Sequence, residues 1–144
     1  MSPLLLLLAI ELRPADLWVR LQNPTDQPLR VWALANSWGG ASWSLRLAAA
    51  QRELVLRPTK QPYTANVPRF IEVPANGQAE FMLAPSGLEW TFGKDLSAFL
   101  NVPLAVRAVL DIASSREATE QDVAIGRVES AAITSQPPHT WLSA

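Results

Sequence analysis

Residues 17–33, LWVRLQNPTDQPLRVWA, decide the fold class of this chain. Leu17, Val19 and Leu21 alternate with polar or aromatic residues, and after the run NPTDQP the alternation resumes from Leu29 onward. Strict alternation is typical of half-buried strands, and Asn, Pro and Asp favour turns. The stretch therefore predicts a hairpin of two strands joined by a polar loop.

The same pattern recurs between twelve prolines and six glycines, which predicts an all-β protein. The further predicted strands are Leu4–Leu12, Ala41–Leu47, Glu53–Arg57, Arg69–Val73, Gln78–Leu83, Val102–Ile112 and Val123–Val128, with a second hairpin around the turn Pro74–Gly77. Ser86–Leu100 has helical spacing, whereas Pro58–Pro68 and Ser114–Asp122 are predicted loops. Because no helix alternates with the strands, we expect an antiparallel, two-sheet, immunoglobulin-like sandwich of eight or nine strands with one short helical segment.

Composition narrows the class of protein. The 144 residues suit one domain, 1–144, with an irregular tail over 134–144. Only 17% of residues are charged, against about 25% in ordinary soluble domains, which favours an apolar partner surface. A net charge of -1 argues against a nucleic-acid partner, and the absence of cysteine excludes disulfides and thiolate metal sites.

The apolar run Leu4–Ile10 is interpreted as part of a buried first strand. No Lys or Arg precedes it, no small-residue cleavage site follows it, and it is too short to span a membrane. A cytoplasmic location is therefore expected.

Two runs carry a family resemblance. LWVRLQNPTDQPLRV, together with VPANGQAEFML at residues 73–83, resembles bacterial immunoglobulin-like modules and, among them, is similar to the intracellular proteinase inhibitor family. The resemblance covers part of the chain and its motifs are structural. It implies the sandwich fold and protease binding through loops, and it assigns no functional residue.

Residues with catalytic chemistry are sparse. His139 is the only histidine, and we expect an exposed or loosely packed tail residue because no GxSxG motif supplies a serine nucleophile. Glu89 and Asp95 are the best carboxylate pair for a hydrolase, but their spacing alone does not support one. The acidic stretch Glu117–Asp122 lacks calcium-loop spacing and is interpreted as solvated. The chain is predicted to have no catalytic residue, metal or cofactor.

The six tryptophans are the remaining signal. If Leu21 pairs with Leu29, Trp18 lies opposite Trp32 on the outer face, where the pair either stabilises the sheet or forms a binding surface. Trp43 is predicted to be in the core. Trp38, on the Gly-rich stretch NSWGG, either folds back as a lid or projects as an anchor, and the first is commoner.

These observations predict a non-catalytic protein-binding module, inhibitor-like or an accessory subunit, that binds a protein partner or a second copy of itself. The candidate binding residues are Trp18, Trp32, Trp38, Tyr63 and Asn66, with the loops Asn36–Ala41 and Pro58–Pro68 as contacts. The alternative is a carbohydrate-binding sandwich that stacks exposed Trp rings on sugars, against which the missing secretion signal counts.

Overall fold

The computed structural model describes residues 2–13, 16–34, 36–58, 66–83, 90–92, 99, 101–137 and 139. The strands in these residues are β1 Leu7–Leu12, β2 Leu17–Gln22, β3 Leu29–Trp32, β4 Trp43–Ala49, β5 Arg52–Pro58, β6 Phe70–Val73, β7 Gln78–Met82, β8 Trp90–Phe92, β9 Leu104–Ile112, β10 Gly126–Glu129 and β11 Ile133–Ser135. Two short helices, α1 Ser37–Ser42 and α2 Arg116–Glu120, accompany them. The prediction of a mostly β protein is confirmed.

The strands form three antiparallel groups. A small sheet has the order β1-β2-β7, and a large sheet has the order β10-β9-β4-β5-β8, with β11 also paired to β9. The third group is the pair β3-β6, which we call the ribbon. A backbone bridge between Arg30 and Val123 joins the ribbon to the segment before β10.

Alternating apolar residues give the small and large sheets one shared core. Leu17, Val19 and Leu21 of β2 are at most 1% exposed, and on β4 Trp43 is 1% exposed. The Trp43 ring meets Phe81 of β7 edge to face, with centroids 5.6 Å apart. Full burial of each such aliphatic side chain contributes about 1.5–3 kcal/mol, so the alternation itself stabilises the packing of the sheets. The predicted core position of Trp43 is confirmed.

The two predicted hairpins are wrong in their pairing. β2 pairs with β1 and β7, whereas β3 pairs with β6, so that Gln22 lies opposite Gln78 and Leu29 lies opposite Val73. The two chain segments therefore run side by side from the small sheet into the ribbon, with residues 23–28 opposite residues 74–77. Alternation specifies which face of a strand is buried but does not specify which strand pairs with it. The local pattern is therefore consistent both with the hairpins and with the observed pairs β2–β7 and β3–β6.

Asn23 holds the bend between β2 and β3. The residue is only 2% exposed to solvent. The amide donates to the carbonyl oxygens of Gln27 (2.7 Å) and Val73 (3.1 Å), and its Oδ1 accepts from the backbone N–H and the hydroxyl of Thr25. A buried amide with every bond satisfied fixes one loop geometry, because any other leaves polar groups unpaired.

The predicted Pro74–Gly77 turn is present although its hairpin is not. The Gly77 N–H donates to the Pro74 carbonyl at 3.0 Å, and Asn76 has a φ of 54°. Asparagine tolerates this left-handed conformation better than most residues. The turn therefore connects the ribbon to the small sheet.

Helices replace two predicted loops. The α1 helix occupies the loop Asn36–Ala41, and α2 lies within the predicted loop Ser114–Asp122. Each begins at a capping side chain, Asn36 and Ser115, that accepts a backbone N–H of the first turn. Of the predicted helical segment Ser86–Leu100, residues 90–92 form strand β8, and the remainder lies outside the described residues except for Phe99, which is buried.

Both ends of the chain differ in detail from the prediction. The first strand begins at Leu7 instead of Leu4, although Leu4, Leu6 and Leu8 are all buried and the Leu4 N–H donates to the Ile125 carbonyl. At the other end, β11 extends to Ser135, so the predicted irregular tail begins with an ordered strand. No helix within the described part of the chain is long and apolar enough to cross a membrane.

Candidate functional site

The predicted Trp18–Trp32 surface does not exist. Trp18 lies on the outer face of the small sheet opposite Glu11 and Met82, whereas Trp32 lies in the ribbon opposite Phe70. The pairing was wrong because it depended on the hairpin. The Trp18 ring is half-buried, donates from Nε1 to Asp16 Oδ1 at 2.8 Å and carries the Arg13 guanidinium 4.0 Å above its centroid.

Trp32 does lie on the predicted face of its strand, away from Leu29 and Val31, but α1 covers it. The Trp38 ring of α1 packs against Trp32, with centroids 6.0 Å apart and planes tilted by 40°, and Trp32 is 4% exposed. Trp38 itself stays half-buried. Of the two predictions for Trp38, the lid is therefore the one the structure adopts. None of the tryptophan side chains that the structure describes is exposed.

The sequence of α1 explains how the lid closes so tightly. A Cβ atom at Gly39 would overlap the carbonyl oxygen of Ala33, so only glycine permits this approach of helix and strand. Asn36 caps the helix by accepting from the Gly39 N–H at 2.9 Å and donates from its own amide to the Arg69 carbonyl at 3.1 Å. The lid is therefore tied both to β3 and to the segment that leads into β6.

Asn66 completes this arrangement. Its Oδ1 accepts from the Ser37 N–H at 3.0 Å, and its amide donates to the Ser37 hydroxyl at 2.8 Å. The structure thus brings together three of the five predicted binding residues, Trp32, Trp38 and Asn66. Trp18 lies apart on the small sheet, and Tyr63 lies outside the described residues.

Two apolar side chains beside the lid are left uncovered. Val67 is 46% exposed and Phe70 is 36% exposed, although Phe70 lies directly opposite the buried Trp32 in the ribbon. We call the residues Trp38, Asn66, Val67, Arg69 and Phe70 the lid surface. Val67 lies within the predicted contact loop Pro58–Pro68, whereas sequence analysis missed Phe70, because its neighbours are set by the pairing of β3 with β6, which alternation does not specify.

Positive charge borders the lid surface. The Arg30 guanidinium lies 4.2 Å from the Phe70 ring centroid, and its Nε is 3.4 Å from Glu72 Oε1. Arg69 is exposed, and its side chain has no ion pair with any residue that the structure describes. The surface can thus accept an apolar side chain next to a carboxylate, and it holds no nucleophile or general base.

The environment of His139 differs from the exposed or loosely packed one that the sequence predicts. His139 is 6% exposed rather than loosely packed in a tail, and both ring nitrogens are bonded. The Val102 carbonyl, 2.7 Å away, can only accept, so Nε2 carries the proton and Nδ1 accepts from the Ser135 hydroxyl at 2.8 Å. Since Ser135 is 5% exposed, the pair ties the chain after β11 to the start of β9.

The acidic candidates that the structure describes are not brought together. Glu89 and Asp95 lie outside the described residues. Asp122 accepts the Ser2 hydroxyl at 2.7 Å, and Glu120 pairs with Arg116 on α2. Within the described ranges no group of three His, Asp or Glu side chains could hold a metal ion.

The strongest electrostatic coupling lies on the outer face of the large sheet. Glu129 of β10 accepts from Arg127 at 2.7 Å, and Arg46 and Arg107 approach it at 3.7 Å. The hydrogen bond from Arg127, reinforced by the charges of all three arginines, lowers the pKa of Glu129 below its ordinary value, and the same contact raises the pKa of Arg127. These ions join strands β4, β9 and β10.

Comparison with known proteins gives no relative: no protein-family model, curated protein or solved structure matches the chain.

Proposed function

We propose that the chain is a non-catalytic protein-binding module, an inhibitor-like module or an accessory subunit, that binds its partner through the lid surface. The observation that carries this proposal is the pair of exposed apolar side chains beside the lid: Phe70 lies opposite Trp32 in the ribbon, and Val67 follows Asn66, which is bonded to Ser37 of α1. Aromatic side chains at the centre of a contact supply much of the energy of protein interfaces.

Rigidity of the surface supports this role. Asn66 and Asn36 tie α1 to the chain on either side of Val67 by hydrogen bonds of 2.8–3.1 Å. A surface that is already ordered loses little conformational freedom when a partner binds. The uncompensated charge of Arg69 favours a partner segment that combines an apolar side chain with a carboxylate.

We further propose an immunoglobulin-like β-sandwich as the architecture that presents this surface. The supporting observations are the shared core of the small and large sheets and the contact of Trp43 with Phe81 between them. In such a sandwich, the ribbon and the lid lie at one margin of the two sheets.

Capture of the partner by matched variants tests the proposal. The intact chain, the double variant Val67→Ser/Phe70→Ser and the control Leu7→Ser are immobilised and exposed to lysate of the source organism. Leu7 is a suitable control because it is 59% exposed on the small sheet, away from the lid. The intact chain and the control should retain the same stoichiometric partner, and the double variant should lose it.

The size of the loss can be stated. Removal of one central aromatic anchor costs about 2 kcal/mol, which is about a 30-fold weaker Kd. Sizing chromatography of the purified chain covers the case in which the partner is a second copy, since self-association should also disappear in the double variant. Equal retention by both variants, or loss by the control alone, would contradict the proposal.

A further inference from the structure

A groove crosses the outer face of the large sheet, on the side away from the core. Its volume is about 250 Å3. Its polar lining residues are Ser42, Ser44, Arg46, Arg57, Asp111 and Arg127, and its apolar walls come from α1, β5 and β9. The groove shares no residue with the lid surface.

The floor of the groove holds a buried hydroxyl group that has no partner among the described residues. Ser44 lies on β4 between Trp43 and Leu45, both of which point into the core, so alternation directs its side chain to the outer face. The residue is 8% exposed, and its hydroxyl has no hydrogen bond to any described residue. The nearby Ser42 hydroxyl, by contrast, donates to the Trp38 carbonyl at 2.7 Å. A buried polar group without a bond is costly, which points to a ligand or solvent partner.

Arginine side chains surround this hydroxyl. Leu45 pairs with Leu56, so the antiparallel register places Arg57 of β5 beside Ser44. Arg57 is exposed and has no carboxylate partner among the residues described. Arg46 is 3.7 Å from Glu129 and 3.8 Å from Glu53, too far for a hydrogen bond. Two guanidinium groups therefore have donors to offer at the groove.

The unpaired charge of Arg57 favours an anion. Three arginines line the groove against one carboxylate, Asp111, and that carboxylate is 3.6 Å from Arg127. The charges of Arg127 and Arg46 are partly compensated, since Arg127 is bonded to Glu129 and Arg46 forms longer ion pairs with Glu129 and Glu53, whereas Arg57 has no ion pair with a described residue. Guanidinium groups bind oxyanions through paired N–H donors, and a serine hydroxyl can donate a further hydrogen bond to the same anion.

We propose that this groove is a binding site for a tetrahedral oxyanion of the phosphate class, held by Arg57, Arg46 and the Ser44 hydroxyl. Arg57 supplies the unpaired positive charge, Arg46 adds N–H donors that no carboxylate accepts at hydrogen-bond distance, and Ser44 fixes the position of the anion on the floor. The chemistry is the same whether the phosphoryl group is free or carried by a small organic molecule. The site goes beyond protein binding at the lid surface and does not depend on it.

Titration followed by nuclear magnetic resonance tests the site. The ¹⁵N-labelled chain is titrated with sodium phosphate, with sodium chloride at matched ionic strength as the reference. Phosphate should produce saturable shifts at the backbone amides of Ser44, Arg46 and Arg57, and chloride should not. A second titration with phenyl phosphate separates the two sources, since tighter binding of the ester identifies an organic phosphate and tighter binding of inorganic phosphate identifies the free ion.

Variants make the test specific. Arg57→Gln should weaken phosphate binding about tenfold or more, and Ser44→Ala should weaken it less, since it removes one neutral donor. Arg52→Gln is the matched control, because Arg52 is an exposed arginine of the same strand that does not line the groove. Shifts that do not saturate, or an equal loss in Arg52→Gln, would overturn the proposal. Val67→Ser/Phe70→Ser should leave phosphate binding unchanged, so a failure of one proposal does not affect the other.

Discussion

Replacement of Asn23 by aspartate tests whether one buried amide holds the crossing from the small sheet to the ribbon. The substitution keeps the shape of the side chain and the oxygen that accepts from Thr25. It replaces the NH2 group, which donates to the carbonyls of Gln27 and Val73 at 2.7 and 3.1 Å, by an oxygen that repels both. The bend then loses the side-chain bonds to Gln27 and to the distant Val73, while its packing stays the same.

The cost can be worked from these contacts. A lost hydrogen bond that leaves a buried partner unsatisfied costs about 1–3 kcal/mol. The single proton of the Thr25 hydroxyl is shared between Oδ1 of residue 23 and the Gln27 carbonyl, but Gln27 is exposed and its carbonyl can bond to water, whereas the contact with Val73 is wholly buried. Adding the desolvation of a carboxylate, we expect Asn23→Asp to lower the free energy of unfolding by about 2–4 kcal/mol at neutral pH.

The penalty should also depend on pH. Burial opposite two carbonyl oxygens raises the pKa of the introduced carboxyl group above its unfolded value of about 3.9. The penalty is therefore complete above the raised pKa and becomes smaller as the pH falls through it, because the protonated group can donate one hydrogen bond again. The gap between the variant and the native chain should narrow in acid.

Urea denaturation followed by tryptophan fluorescence measures both effects. Gln22→Glu is the matched control, since it makes the same chemical change at the adjacent, exposed position. Surface changes of this kind are usually within about 0.5 kcal/mol. If Asn23→Asp destabilises the chain no more than Gln22→Glu does, the account of the bend is refuted.

Three further predictions follow from the same kind of argument. Gly39→Ala should destabilise the chain by about 1–3 kcal/mol in thermal unfolding, because its Cβ overlaps the Ala33 carbonyl, and an unchanged Tm would contradict the close approach of α1. The lowered pKa of Glu129 means that its contribution to stability is complete above its ordinary value of 4.5 and is lost as the pH falls through the lowered value. Glu129→Gln should flatten that acid-side slope in urea titrations, and an unchanged slope would contradict the assignment. His139→Phe leaves Ser135 and the Val102 carbonyl without their imidazole partner, so hydrogen exchange should accelerate in β11, and uniform acceleration throughout the chain would argue against a local tie.

Sequence patterns predicted which residues are buried better than they predicted what those residues pair with. The alternation around Leu17 and Leu29 placed both strands and both buried faces correctly. The partner strands were wrong because the choice between a hairpin and a crossing is made at Asn23, whose bonds to Val73 span fifty residues of chain. Rules based on neighbouring residues predict a tight turn here, because they take no account of a contact between residues fifty positions apart.

The candidate site shows the same limit. The Gly-rich stretch predicts that Trp38 is a lid or an anchor, and Asn66 could be predicted only as a candidate binding residue from its loop. Phe70 could not be recognised, since its exposure depends on where the ribbon lies under the lid. The burial of His139 could not be predicted, because its partners, Ser135 of β11 and Val102 just before β9, come together only in the folded chain.

Hydrogen–deuterium exchange of the chain, alone and with its captured partner, tests the central claim most directly. If the lid surface is the recognition element, the partner should protect residues 36–42 and 66–73 and leave β1 and the outer face of the small sheet unchanged. Protection confined to β1 around Leu7, or to the Met82 end of the small sheet, with no change at the lid, would contradict the account.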